Sequence, residues 1–263
     1  GTGTVEYNGS GAQTVRGVNY NNLIFSNTGA KTLQASATVG IAGTFTRGTM
    51  TVTPGTNNTV LFNGGAQTMT GAATSFRNLT FVNTSLTAPA DFTVAGTLTT
   101  TSPATLNMTN NTLSVTGNYA GTGALTFTSG VLNLTAAFSN TGTFTCGTGT
   151  VNYIGASQTI RGVNYYNLSL SGSGTKTLQA ASTIGIAGTF TRGTVTVTAG
   201  ATNTVLFNGG AQVMTGNATT FVNLTINNTS LTIPADITVG TTLTFTAGNI
   251  ITGSSNVILT GSI

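Results

Sequence analysis

Histidine and tryptophan are absent from this 263-residue sequence, cysteine occurs once, and charged residues make up only 4% of it. An ordinary globular domain carries roughly 25% charge. Without histidine there is no His-based acid/base chemistry, no Ser-His-Asp triad, no Cys-His pair and no ordinary zinc site. The acids are three, Glu6, Asp91 and Asp236, so any carboxylate dyad needs two of them to meet in space. Cys146 has no second cysteine with which to form an internal disulfide. No stretch approaches the roughly 18 apolar residues of a membrane-spanning helix. The net charge is +4 with a pI of 9.6, yet no two cationic residues are adjacent. Nucleic-acid binders gather Lys and Arg in runs or on one face, so the high pI reflects the scarcity of acids. Neither a nucleic-acid partner nor a cofactor is expected. The first residue is Gly1 rather than Met, which reads as a processed or excised chain.

What the sequence does contain is repetition, the first thing to search for. Residues 17–35 read GVNYNNLIFSNTGAKTLQA and residues 162–180 read GVNYYNLSLSGSGTKTLQA, an offset of 145. The offset persists through IAGTFTRGT, TVLFNGGAQ and NTSLTxPAD, so the chain holds a long repeat over 1–146 and an incomplete second copy over 147–263. A shorter unit nests inside, since VEYNGSGAQTVRG at 5–17 echoes VLFNGGAQTMTG at 60–71. Below that, apolar strand centres recur every 17 to 19 residues, from Val5, Leu23, Ile41 and Val60 through to Leu224 and Leu243.

No segment shows the i, i+3, i+4, i+7 pattern of a helix. Short alternating runs such as TVEY, TLQA and TVLF sit between Gly, Asn and Ser turns, the period-two signal of strands. About 18 residues accommodate three short strands and three turns, one coil of a solenoid in which each coil contacts only its neighbours. The expectation is an all-β parallel β-solenoid (β-helix) of about 14 coils of 17–19 residues, continuous over 1–263. Leu23, Leu79, Leu168 and Leu224 should be buried. Asn22, Asn78, Asn167 and Asn223 should serve corners by bonding to backbone, and Tyr20, Phe76, Tyr165 and Phe221 should pack in the core or at a corner. Cys146 replaces Arg47 and Arg192 in the TFT-x-GT motif, which suggests a site near a corner rather than deep in the core.

The pattern V-x-[YF]-N-G…A-Q-T…G…[YF]-x-N-L, followed by G-T-[FL]-T, resembles repeats of very large secreted surface proteins of the Bacteroidota, over Gly1 to about Leu259. Its texture is also similar to autotransporter passenger repeats. The resemblance implies export by a type IX route, an extracellular or cell-surface location and an adhesin or surface-fibre role. On that basis the chain is expected to be a structural segment, a rigid spacer or filament subunit. Both ends read as ordinary repeat sequence, so continuation is expected, by flanking repeats or by end-to-end copies. A rod of roughly 65–70 Å would follow from stacking at about 4.8 Å.

Other function classes need particular residues. Arg16, Lys31 and Arg47, with their copies Arg161, Lys176 and Arg192, are spaced by 15 and 16 residues, near one coil each. In a solenoid they would form a solvated basic stripe suited to an anionic surface polysaccharide, or simply cations that discourage aggregation. Asp91 and Asp236 lie eight coils apart, roughly 38 Å at one rung per 4.8 Å, too far for the carboxyl pair of a glycoside hydrolase. No enzyme activity and no metal site is expected. Ice binding would need Thr-x-Thr on nearly every coil. At that spacing Thr44-Phe45-Thr46 is followed one coil on by Leu61-Phe62, which breaks such a ladder.

Overall fold

The computed structural model describes residues 1–261. No helix occurs among them; most strands have two to five residues, the longest is Ile237–Ala247, and every described pairing is parallel. The protein is a parallel β-solenoid of about 13 turns. It forms two compact units, Gly1–Val131 with Ser139–Phe144, and Leu132–Phe138 with the residues from Thr145 onward. The second therefore starts close to the second long repeat.

In the first unit each turn lays down three strands, one on each face. The opening turns run Thr4–Tyr7, Gln13–Val15, Asn19–Tyr20, then Asn22–Phe25, Lys31–Leu33, Thr38–Ile41. Each strand bonds to the strand one turn away in the same face, Val5 opposite Leu23 and Leu23 opposite Phe45. The second unit repeats this order with Thr150–Tyr153, Gln158–Ile160 and Asn164–Tyr165, followed by Asn167–Leu170, Thr175–Leu178 and Thr183–Ile186.

The spacing between paired residues is less regular than that of the apolar centres. It runs from 17 (Thr150 opposite Asn167) to 24 (Thr44 opposite Thr68). Turns absorb the extra residues at the surface, where loop length costs little, while the strands keep their register. Thr44 and Thr46 consequently face Thr68 and Thr70, not Leu61 and Phe62 as the even spacing suggested.

The core is narrow and filled by alternate residues of each strand. Leu23, Leu79, Leu168 and Leu224 are all within 1% of complete burial. Each such side chain contributes about 1.5–3 kcal/mol by leaving water. Aromatic rings stack from turn to turn: Phe25 meets Phe45 edge-on at 5.2 Å, and Phe62 lies flat against Phe81 at 5.2 Å. Tyr20, Phe76, Tyr165 and Phe221 are buried in this core. The first and last turns expose apolar residues, Val5 at 44% and Phe245 at 52%.

Candidate functional site

The polar chemistry of the chain is concentrated in one recurrent turn that ends in glutamine; it follows the first strand of a turn after Tyr7 and Tyr153, and the third strand after Phe62 and Phe207. It occurs as Asn8-Gly9…Gln13, Asn63-Gly64…Gln67, Ile154-Gly155…Gln158 and Asn208-Gly209…Gln212. In each, the glycine N–H donates to the glutamine Oε1, at 2.8, 3.0, 2.9 and 2.9 Å. The amide NH2 of Gln67 then reaches back one turn to the carbonyls of Ile41 and Gly43, and that of Gln212 to those of Ile186 and Gly188. Gln158 does the same with Leu134 and Ala136. Each glutamine thus fastens its own turn, and Gln67, Gln158 and Gln212 also bolt it to the preceding one.

Lys31 and Lys176 belong to this turn, and here the structure corrects the sequence reading. Lys31 stands opposite Gln13 and Lys176 opposite Gln158, and both lysines are completely buried. The Lys31 ammonium donates to the carbonyls of Gly9 (3.0 Å) and Gly29 (2.8 Å). The Lys176 ammonium donates to Gly155 O, Ala156 O and Gln158 Oε1 at 2.5–2.9 Å. Burial lowers the Lys176 pKa below its ordinary value. Neither ammonium is presented to solvent.

The remaining cations also part company. Arg47 and Arg192 lie in first strands, half-buried, each donating from Nη2 to a carbonyl three residues on, Met50 O or Val195 O, at 2.9 Å. Burial lowers both their pKa values. Cys146, which takes the same motif position, makes the same kind of contact from Sγ to Gly149 O at 3.4 Å. It is buried, not set at an open corner, and burial raises its pKa. Arg16 follows the second strand and is exposed, while Arg161 lies half-buried over the Phe138 ring at 4.8 Å. The expected stripe of Arg16, Lys31 and Arg47 is therefore not a column. Spacings of 15 and 16 fall short of a turn, and the three residues land at three different places around the coil.

Two phenols clamp the backbone of the Arg161 corner. Tyr153 and Tyr165 share a hydrogen bond of 2.9 Å; Arg161 N donates to the Tyr153 hydroxyl and the Tyr165 hydroxyl donates to Arg161 O. Tyr7, Tyr20 and Arg16 repeat this arrangement. Burial pushes the Tyr153 pKa up to about 12, and burial together with the neighbouring Tyr153 raises that of Tyr165. The acids serve the backbone as well: Asp91 accepts from Thr112 N and Asp236 from Asn256 N, each at 2.7 Å. Asn22, Asn78 and Asn167 each accept a backbone N–H from the following turn at 2.9–3.0 Å, and the Asn223 amide donates to Asn203 O, as corner residues should.

One surface feature escaped the sequence reading. Three runs of second strands carry outward hydroxyls in register within each run: Thr14, Thr32 and Thr53; Ser75 and Thr93; and Thr159, Thr177 and Thr198. Most are exposed. The signal was present as Q-T-V, K-T-L and T-V-T, but only the register aligns them. Each run offers one hydroxyl per rung and carries no charge.

Among the described residues, no group of three or more His, Cys, Asp or Glu lies close enough to hold a metal ion. Fold and bonding together define a parallel β-solenoid repeat protein whose polar side chains are spent on joining one turn to the next. The chain matches no protein family, no curated protein and no solved structure.

Proposed function

We propose that this chain is a structural segment of an exported bacterial surface fibre or adhesin, acting as a stiff spacer or filament subunit. The observation that carries the reading is where the ionisable and amide side chains are spent. Lys31, Lys176, Gln67, Gln158, Gln212, Asp91 and Asp236 all bond to backbone or to one another across turns. Such cross-turn bonds resist bending and shear of the stack. A catalytic or ligand-gathering surface would instead hold these groups toward solvent. The second reading, recognition of an anionic glycan, rests on Arg16, the one member of the six-residue stripe that is exposed.

The test is immunogold labelling of intact producing cells with antibody to this chain, together with negative-stain microscopy of the purified chain. Surface label and narrow, elongated particles are expected. Label confined to the cell interior contradicts the reading. Binding to acidic glycans lost in Arg16→Gln would favour the second one.

A further inference from the structure

Asparagine followed by glycine is the dipeptide most prone to spontaneous deamidation, one root of the thermolability of asparagine. The glycine nitrogen, unshielded by a side chain, loses its proton and attacks the asparagine Cγ. The side-chain nitrogen leaves as ammonia and a succinimide closes, which water opens to aspartate or isoaspartate. The chain has three such dipeptides, Asn8-Gly9, Asn63-Gly64 and Asn208-Gly209, and all three asparagines are exposed. The fold demands glycine at the second position of two of them. A Cβ on Gly64 would stand 1.8 Å from the Ala42 carbonyl oxygen, and one on Gly209 1.8 Å from that of Ala187.

We propose that Asn8, Asn63 and Asn208 are latent deamidation sites, and that the turn glutamine holds each of them in check. The attacking nitrogen is in every case the donor of the bond to glutamine Oε1: Gly9 to Gln13, Gly64 to Gln67 and Gly209 to Gln212. To react, that nitrogen must give up both the bond and the proton in it. The carbonyl acceptor stabilises the N–H form and opposes the anion. The strength of the check depends on how firmly the glutamine is held. Gln67 and Gln212 are buried, with their NH2 groups bonded to two carbonyls each. The same bond from Gly155 to Gln158, beside Ile154, shows that the glutamine fastens the turn in its own right; protection of the asparagine comes with it.

The full chain is held at mildly alkaline pH and each site is read by peptide-mapping mass spectrometry, with isoaspartate confirmed by enzymatic methylation. In the wild type, Asn63 and Asn208 convert at least about tenfold more slowly than the same sequences in free peptides. Gln67→Met, which keeps the side-chain length but removes the acceptor, speeds Asn63 by about tenfold, the scale of one lost hydrogen bond. Asn208 in the same molecules is unchanged, and Gln212→Met gives the converse. A folded Gln67→Met chain with an unaltered Asn63 rate overturns the proposal. So does a wild type in which Asn63 reacts as fast as its peptide. Should Gln67→Met fail to fold, the wild-type rates decide: Asn63 and Asn208 slower than their peptides support the proposal, and rates equal to the peptides overturn it.

Discussion

The Lys176 ammonium is held by neutral oxygens, three of them within 2.9 Å. Lys176→Met keeps the stem packed but leaves Gly155 O and Ala156 O without that donor. A loss of about 2–3 kcal/mol is expected, read as a lower urea midpoint at unchanged slope. Arg16→Gln, at an exposed position, should move stability by less than about 0.5 kcal/mol. Equal, negligible effects would mean that the buried bonds carry no stability. The difference between these cations was legible in part. Lys31 and Lys176 stand two residues before Leu33 and Leu178, and in a strand that parity places both side chains on the inward face. Arg16 follows buried Val15 and so points outward. Charge argued for solvent at all of these positions, and parity was the better guide. The tyrosine clamp gives a second residue-scale prediction. With the folded pKa of Tyr153 at about 12, against an ordinary 10.0, its contribution to stability is complete below about pH 10. It is lost as pH rises toward about 12, because only the unfolded state then releases the proton freely. Phenolate absorbance should show the Tyr153 and Tyr165 hydroxyls ionising only as the fold is lost; normal titration near pH 10 in folded protein would contradict the burial.

The Gln-ending turn is the element that separates this chain from a generic stack of strands. Its tolerance to side chains is sharply divided between neighbours. Gly64 has no room for a Cβ beside the Ala42 carbonyl, whereas Gly65 has open space around it. Gly64→Ala should cost about 3 kcal/mol or more, since a close contact to backbone cannot be relieved by a rotamer change. Gly65→Ala should be neutral within about 0.5 kcal/mol. Thermal unfolding of the two variants checks this, and comparable melting temperatures would mean that the turn relaxes freely. The strands themselves were legible from sequence because every inward residue repeats at a two-residue period, so Leu23 and Leu79 were found without a structure. The partner of each strand was not, because insertions such as the one between Thr44 and Thr68 leave no mark on the alternation. For the same reason the hydroxyl column of Thr14, Thr32 and Thr53 emerges only once register is known.

At the scale of the whole molecule, the repeat length and the division into two units agree: the second unit takes over near Thr145, where the second long copy begins. A stack in which each turn touches only its neighbours should open from exposed edges inward. Hydrogen exchange should therefore be slowest at interior strands such as Asn78–Val82 and Thr183–Ile186, and fastest at Thr4–Tyr7 and Val257–Leu259. The central claim is parallel, in-register stacking of one turn on the next. A crystal or cryo-EM structure resolving side chains tests it most directly. The expected result is rungs about 4.8 Å apart, with Leu23 between Val5 and Phe45 in one unit and Leu168 between Val151 and Phe190 in the other. Antiparallel pairing of these strands, or helix anywhere in the two units, would contradict it.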